Sequence, residues 1–299
     1  MMHNKSKMSG TRFLLVTILN ALITVVELVG GMLSGSLALL SDAFHNLGDS
    51  ASVVLAYVAS RIGLKTSNDS KTFGYRRAEI ISAFVNAIFL ILVSVVLIGE
   101  SLRRLMHPEP VNGGIMLIVA IIGTIANFVS ALLLSKGAKD NLNLKATYLH
   151  ILSDALSSFG IIIGAIIIQI WKIDLVDPIV TILVSIYILR ETWPVLKESI
   201  DILMQAAPIL DYEALKRDML KEPGVVNVHH IHVWQIDENR IMFSAHINLN
   251  DQLLSDVEPI YRHLENLLQK KYHVDHVTLQ AEVFRGKSNE LFTRDRHDI

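Results

Sequence analysis

The sequence of 299 residues contains no cysteine, and this absence removes several classes of site at once. Disulfide bonds, iron–sulfur clusters and zinc sites built on thiolates all require this residue. No cluster of basic residues interleaved with aromatic ones is present either, and the formal net charge is only −2, so nothing indicates binding to nucleic acid. The motifs His-Glu-x-x-His and Gly-x-Ser-x-Gly, which mark zinc proteases and serine hydrolases, are also missing.

Long apolar blocks dominate what is present. Hydrophobic residues make up 51% of the chain, and the mean hydropathy is +0.43. Blocks of about 20 apolar residues are long enough to cross a bilayer. We predict six transmembrane helices at Phe13–Ser34, Ser36–Ile62, Glu79–Leu105, Ile115–Ser135, Ala146–Ile170 and Pro178–Ile200. The first block follows basic residues, as a signal peptide would, but it is too long and lacks a small-residue cleavage site.

Lysine and arginine are distributed unevenly between the two sides of these blocks. One side carries Lys5, Lys7, Arg12, Arg61, Lys65, Lys71, Arg76, Arg77, Lys136, Lys139 and Lys145, and the other carries Arg103, Arg104 and Lys172. Because cytoplasmic loops are enriched in these residues, we predict that the N- and C-termini are both cytoplasmic. The compact loops and the absence of cysteine favour the inner membrane of a bacterium as the location of the protein.

Two of the predicted membrane helices contain the same pattern, His-x-Leu-x-Asp. It begins at His45 and ends at Asp49 in the second block, and it begins at His150 and ends at Asp154 in the fifth. A spacing of four places both side chains on one helix face, one turn apart. Two such helices facing each other would offer two imidazoles and two carboxylates to one divalent ion, and zinc suits this ligand set best.

The cost of buried charge favours a metal site over simple packing. A carboxylate at the centre of a bilayer costs a few kcal/mol on insertion scales, and two neighbouring aspartates cost about twice that before their mutual repulsion. A bound dication would cancel both charges. The alternative is that the four residues form hydrogen-bonded pairs that only hold the bundle together.

Two further acidic residues lie in the membrane blocks. Asp42 precedes His45 by three residues and therefore shares its helix face, where it is a candidate acceptor for the imidazole or a helix-end residue. Glu27 in the first block is a candidate for a proton-linked group or for a pairing across the bundle. Both are predicted to support the site and not to bind the metal directly.

The composition changes after the sixth block, and residues 208–285 are typical of a small cytoplasmic domain. The predicted elements are a helix at Tyr212–Lys221 with Asp211 as its N-cap, strands at Val225–Ile236 and Ile241–Leu249, a helix at Asp256–Lys271 and a strand at His276–Val283. The order αββαβ predicts a ferredoxin-like α+β fold. We predict a transport domain over residues 1–207 and a polar, disordered tail over residues 286–299.

These motifs together indicate a family. The segments that carry the resemblance are Gly35–Ala43 leading into His45 and Asp49, the pair His150 and Asp154, and Phe73–Glu79 at the entrance to the third helix. Over nearly its whole length the chain resembles the cation diffusion facilitators of the bacterial zinc-exporter branch. The resemblance implies a homodimer, a cytoplasmic ferredoxin-like domain and zinc export driven by inward protons. It also implies that a histidine at His45 favours zinc over cadmium.

The resemblance also implies metal sites outside the membrane, and here the chain departs from some relatives. Positions that hold histidine in members with a second metal before the third helix are Lys71 and Tyr75 here, and the segment Lys136–Lys145 has no histidine, so we expect no metal at either place. In the cytoplasmic domain the matching positions are His229, His246, Gln280, Glu282 and Glu258. Gln280 is a poor zinc ligand, so the site is predicted to rest on the other residues.

The hypothesis from sequence is a Zn²⁺/H⁺ antiporter, a secondary transporter and not an enzyme, embedded as a homodimer in the lipid bilayer. Zn²⁺ is its transported substrate and a structural or regulatory ion in the cytoplasmic domain. One alternative is a transporter of the same family with broader selectivity that includes Cd²⁺, Co²⁺, Fe²⁺ or Mn²⁺. More remote alternatives are a membrane-anchored metal sensor and an intramembrane metalloenzyme, whose zinc would keep an open position for water.

Overall fold

The computed structural model describes residues 3–138, 142–287 and 289–292, and it divides into two compact units. The first unit contains Met1–Ala59 and Ser82–Leu196, and the second contains Ser60–Ile81 and Lys197–Ile299. The loop between the second and third long helices therefore belongs with the C-terminal domain, which was not predicted from the sequence. Part of the predicted polar tail, residues 293–299, lies outside the described residues.

Long helices occupy the positions of the predicted apolar blocks. They are α1 (His3–Ser34), α2 (Leu37–Gly63), α3 (Arg77–Met106), α4 (Gly113–Ala138), α5 (Leu142–Trp171) and α6 (Val176–Leu203). Among the described residues, five of these helices are long and apolar enough to cross a membrane. The exception is α2, because Asp42, His45, Asn46 and Asp49 lower its hydropathy. The protein is thus an integral membrane protein with five apolar helices and a sixth polar one.

Small residues allow α1 to approach its neighbours closely. Gly30 of α1 faces Val119 of α4, and Gly31 faces Leu40 of α2, so a methyl group at either position would crowd the opposite side chain. Gly35, in the turn between α1 and α2, has a φ of 72°, a conformation that glycine adopts without strain. Large apolar side chains on the outside of the unit are those expected to face lipid.

The C-terminal domain has the predicted order of elements. It contains α7 (Tyr212–Met219), β1 (Val225–Asp237), β2 (Arg240–Leu249), α8 (Leu254–Tyr272) and β3 (Val274–Glu282). The predicted N-cap is confirmed, since a carboxylate oxygen of Asp211 accepts a hydrogen bond of 2.9 Å from the Ala214 N–H. The core joins apolar residues of both helices to one face of the sheet, among them Leu215, Phe243 and Leu264.

The sheet is mixed and has three strands in the order β1-β2-β3. Strands β1 and β2 are antiparallel, whereas β2 and β3 are parallel and directly hydrogen-bonded, with α8 as the crossover between them. In a split βαβ unit of the ferredoxin-like kind another strand would separate this parallel pair. The element order is as predicted, but the sheet is best described as a mixed three-stranded sheet with helices.

The packed part of the domain extends beyond residue 285. Leu291 is buried in the core, its carbonyl oxygen accepts a hydrogen bond from the Ile231 N–H, and Phe292 packs edge-on against Tyr212. Two apolar side chains within a polar stretch were too weak a signal to predict this contact from sequence. The start of the predicted tail is therefore part of the folded domain.

Candidate metal centres

Helices α2 and α5 bring the four membrane candidates together. Each imidazole is nearest to the aspartate of the opposite helix: His45 Nε2 lies 3.3 Å from Asp154 Oδ1, and His150 Nε2 lies 3.1 Å from Asp49 Oδ2. The pairs within one helix are longer, at 3.7 Å for His45 with Asp49 and 3.8 Å for His150 with Asp154. One ligand atom from each residue falls within 4.8 Å of all the others. The arrangement offers two nitrogen and two oxygen donors to a single ion.

The four side chains differ in their exposure. The side chains of His45 and Asp154 are 7% and 4% exposed, whereas those of Asp49 and His150 are 23% and 39% exposed. The cluster therefore has one deeply buried edge, formed by His45 and Asp154, and one more exposed edge, formed by Asp49 and His150.

Asp42 and Glu27 are buried beside this cluster, and each is hydrogen-bonded to a residue outside it. Asp42 Oδ2 accepts a hydrogen bond of 2.8 Å from Ser158 Oγ on α5, and His45 Nδ1 has no partner among the described residues. Asp42 thus links α2 to α5 and does not orient His45 directly. Glu27 Oε2 accepts a hydrogen bond of 2.7 Å from Asn46 Nδ2.

The residue that fixes the start of α2 was not predicted from the sequence. The carboxylate of Asp177 is fully buried and accepts hydrogen bonds from Ser36 Oγ at 2.5 Å, the Leu37 N–H at 2.8 Å and the Ala38 N–H at 3.2 Å. Free N–H groups at a helix N-terminus favour a carboxylate, so Asp177 on α6 caps α2 across the bundle. The only signal was an acidic residue at the edge of an apolar block, and such residues are common where a membrane helix meets water.

A second group of candidate ligands lies in the C-terminal domain. His229, His246 and Glu282 each offer one ligand atom within 4.8 Å of the others. His229 Nε2 is 3.3 Å from Glu282 Oε2, and His246 Nδ1 is 3.1 Å from Glu282 Oε1. Strand pairing explains the arrangement, because His229 of β1 lies opposite His246 of β2, and Glu282 lies at the end of β3.

The local backbone of β1 departs from regular strand geometry. A register shift between His229 and His232 places an extra residue opposite β2, and His230 has a φ of 50°. His229 is consequently turned into the domain and is only 2% exposed, while the ring of His230 packs 4.6 Å from that of His246. Burial lowers the pKa of His229, and the nearby imidazole of His246 acts in the same direction against the opposing effect of Glu282. A neutral imidazole is the form that binds metal.

Two of the predicted residues do not join this cluster within the chain. Gln280 Nε2 donates a hydrogen bond of 2.8 Å to Glu282 Oε1, so it holds the carboxylate in place. Glu258 lies on the exposed face of α8, where it pairs with Arg262 at 2.7 Å. Gly286 was not predicted, and its backbone with a φ of 69° lies against the ring of His229, where a larger residue would collide with the imidazole.

Comparison with known protein families assigns both parts of the chain. Residues 13–204 match the cation efflux transmembrane domain, and residues 207–284 match the cytoplasmic domain of cation efflux proteins. The chain belongs to the cation efflux family. The resemblance to cation diffusion facilitators is thereby confirmed, and the protein is a transporter of this family and not an enzyme.

Several curated relatives match the chain over most of its length. The zinc transporter ZitB of Pectobacterium atrosepticum is 42% identical over 308 residues, which covers 100% of this chain and 95% of the relative. The ZitB protein of Escherichia coli is 41% identical and covers 86% of this chain and 82% of the relative. A cadmium, cobalt and zinc/H⁺-K⁺ antiporter of Bacillus subtilis is 38% identical and covers 94% of this chain and 91% of the relative.

One solved structure, described as the metal-bound C-terminal domain of the CzcD transporter from Cupriavidus metallidurans, also matches. It is 24% identical, has a TM-score of 0.23 and covers 25% of this chain and 100% of the solved chain. A structural likeness of this size supports no inference about this chain.

Proposed function

We propose that this protein exports Zn²⁺ from the cytoplasm in exchange for H⁺, and that His45, Asp49, His150 and Asp154 carry the ion. The observation that supports the proposal is the meeting of two imidazoles and two carboxylates from α2 and α5 in one cluster. The relatives named zinc transporter support the choice of zinc. Two histidines argue against a hard ion such as Mn²⁺, which prefers oxygen ligands.

The chemistry of the ligands explains why metal and protons should compete. Zinc binds neutral imidazole and ionised carboxylate, so protons must leave before the ion can bind. Histidine is the ligand type whose reference pKa, about 6.5, lies nearest the pH of a cytoplasm. A cluster that opens alternately to each side would load zinc where protons are scarce and release it where they are abundant. The ligand set supplies the competition, and the proposed alternation turns it into exchange of the two ions.

The proposal also covers the membrane topology, the homodimer and a zinc site in the C-terminal domain. All six long helices span the membrane, with the polar α2 tolerated because α5 satisfies its charged residues. Both termini face the cytoplasm of a bacterial cell, and the chain works as a homodimer through its C-terminal domain, which begins near residue 208. In that domain His229, His246 and Glu282 hold a regulatory zinc, and Glu258 is available to a second copy.

Broader metal selectivity is the second candidate. The Bacillus subtilis relative is named as an antiporter of cadmium, cobalt and zinc, and it covers nearly all of this chain. Cobalt and cadmium both accept mixed nitrogen and oxygen ligands, so the same cluster could carry them. A transport assay should therefore include these ions as competitors.

The test is zinc uptake by liposomes that contain the purified protein and a zinc-sensitive dye. We expect uptake to require an opposing proton gradient, and to fall at least tenfold in Asp154→Ala, because the variant loses one of two charges that neutralise the ion. The matched control is Asp251→Ala, an exposed aspartate of the C-terminal domain. Uptake by Asp154→Ala equal to that of the control would exclude the membrane cluster as the zinc site. Equal zinc uptake with and without the proton gradient would exclude antiport.

A further inference from the structure

A cavity of about 850 Å³ lies in the second unit, where the α2–α3 loop meets strands β1 and β2. Aromatic rings line part of its wall, contributed by Phe73 and Tyr75 of the loop and Trp234 of β1. Lys71 and Arg77 also line it, and no aspartate or glutamate occurs among the described residues of its wall. The cavity is therefore cationic and aromatic at once.

Neither of these cations has an ion pair within the described part of the chain. The adjacent Arg76 differs, since its Nη1 lies 3.8 Å from Asp237 Oδ2. His232 also lines the cavity, but burial and the neighbouring His230 lower its pKa, which disfavours its charged form. The positive charge of the cavity comes from Lys71 and Arg77, and the described residues of its wall offer no counter-charge.

The loop that presents Lys71 is firmly built. Asn68 Oδ1 accepts hydrogen bonds from Ser70 N at 3.1 Å and from Lys71 N at 2.8 Å, which closes a tight turn. The Gly74 N–H then donates to the Lys71 carbonyl oxygen at 2.9 Å, and Gly74 has a φ of 77°, which favours glycine. The backbone on either side of Lys71 is thus held in place at the wall of the cavity.

The position of this cavity along the chain suits a ligand at the membrane surface. Arg77 is the first residue of α3, which is one of the helices apolar enough to span a membrane, so the wall of the cavity includes the N-terminal end of a candidate span. Phe73 is 54% exposed and Ile81 is 50% exposed, as expected for side chains that meet lipid. Basic pockets at the cytoplasmic ends of membrane helices suit anionic phospholipid head groups.

We propose that this cavity binds the head group of an anionic phospholipid, with Lys71 and Arg77 paired to the phosphate and the aromatic rings packed around the glycerol. The inference rests on the proposed orientation, which places the α2–α3 loop at the cytoplasmic leaflet. Binding itself does not depend on zinc transport, so the two proposals can fail separately.

The experiment uses full-length protein in dodecyl maltoside with Trp234 as the reporter. The other two tryptophans are replaced in a Trp171→Phe, Trp193→Phe background, and dihexanoyl-phosphatidylglycerol is added. We expect a saturable change in Trp234 emission with this lipid, and at least tenfold weaker binding in Lys71→Gln/Arg77→Gln. Lys65→Gln is the matched control, because it removes one charge from the same loop without altering the wall of this cavity.

Three results would overturn the proposal. The first is an equal response to dihexanoyl-phosphatidylcholine, which has no net charge. The second is an equal response to glycerol 3-phosphate, which would assign the cavity to a soluble phosphate. The third is a Trp234 signal that depends on protein concentration and not on lipid, which would assign the cavity to a second copy of the chain. If the background variant does not fold, native mass spectrometry of phosphatidylglycerol retained by the wild type and by the two charge variants gives the same comparison.

Discussion

At the scale of single residues, four ionisable side chains of α2 and α5 meet in one cluster, formed by His45, Asp49, His150 and Asp154. Ionised residues inside an apolar helix are rare and costly, so each of them needs polar partners close by. In the C-terminal domain, Gln280 donates a hydrogen bond to Glu282, and the backbone of Gly286 lies against the ring of His229.

The identity of residue 45 should control metal choice. We expect His45→Asp to retain transport and to raise cadmium uptake relative to zinc, because it replaces a nitrogen donor with a flexible carboxylate that suits a larger ion. Competitive uptake of the two ions by liposomes measures the ratio. His107→Asp, which replaces an exposed histidine beyond α3, should leave the ratio unchanged. No rise in relative cadmium uptake for His45→Asp would refute this role for the imidazole.

Asp218 in the C-terminal domain should make stability depend on pH. Its carboxylate accepts hydrogen bonds from Lys221 Nζ at 2.7 Å and the Tyr272 hydroxyl at 2.7 Å, and Lys271 pairs with it as well. These partners lower the pKa of Asp218, and burial, reinforced by the hydrogen bond to Asp218, raises the pKa of Tyr272 to about 12. A lowered pKa contributes stability at neutral pH that is lost as the pH falls through the folded-state value.

We therefore expect Asp218→Asn to lower the thermal unfolding temperature of the C-terminal domain at pH 7. The gap from wild type should narrow as the pH is reduced below about 4, the ordinary range of aspartate. Tryptophan emission at each pH reports the transition. Asp251→Asn, an exposed aspartate without an ion pair in the described chain, should show little change at any pH. A difference in unfolding temperature between wild type and Asp218→Asn that stays constant with pH would mean that the ion pairs of Asp218 do not contribute to stability.

At the scale of elements, hydropathy and capping signals located most helices and strands within a few residues of their observed bounds. All of the predicted elements exist, including the least hydrophobic one, α2. What could not be predicted was pairing between distant elements: Asp177 capping α2, and the direct parallel contact of β2 with β3. Such pairings depend on which elements become neighbours in the folded chain, and local periodicity does not predict this.

Removal of the cap on α2 should destabilise the membrane unit. Hydrogen bonds to a charged acceptor contribute about 1.5–3 kcal/mol, and Asp177 accepts several of them at the helix N-terminus. We expect Asp177→Asn to lower the melting temperature in detergent and to increase hydrogen exchange in the first turns of α2. Asp174→Asn is the control, since that carboxylate accepts one longer bond of 3.2 Å from the Val111 N–H. Equal effects of the two variants would argue against a special role for the cap.

At the scale of the whole molecule, the division into a membrane part and a small C-terminal domain was visible from composition alone. The α2–α3 loop was not assigned to the C-terminal unit in advance, because nothing in Ser60–Ile81 resembles the rest of that domain. The predicted end of the fold also came too early, before Leu291. Which loop and tail residues pack against a domain depends on contacts between distant parts of the chain, and local composition does not reveal these contacts.

The proposed topology can be tested with the cysteine-free chain itself, since wild type provides an unlabelled background. We expect Asn112→Cys, in the α3–α4 turn, to react with an impermeant maleimide added to intact cells. Asp69→Cys, in the α2–α3 loop, should react only after the membrane is made permeable. Labelling of both variants in intact cells would contradict an even number of spans with cytoplasmic termini.

The pairing of each imidazole with the aspartate of the other helix has one more consequence. In the six-span arrangement three connections separate α2 from α5, so these helices cross the bilayer in opposite directions. If α2 and α5 are interchanged, the contact of 3.3 Å between the helices takes the place of the contact of 3.1 Å. The contact of 3.7 Å within α2 likewise takes the place of the contact of 3.8 Å within α5. Such an interchange is the relation that a two-fold axis perpendicular to the two helices would give, as in transporters with inverted repeats. In the transport cycle proposed above, a change of access that swaps the surroundings of the two helices would leave the distances among the four side chains unchanged.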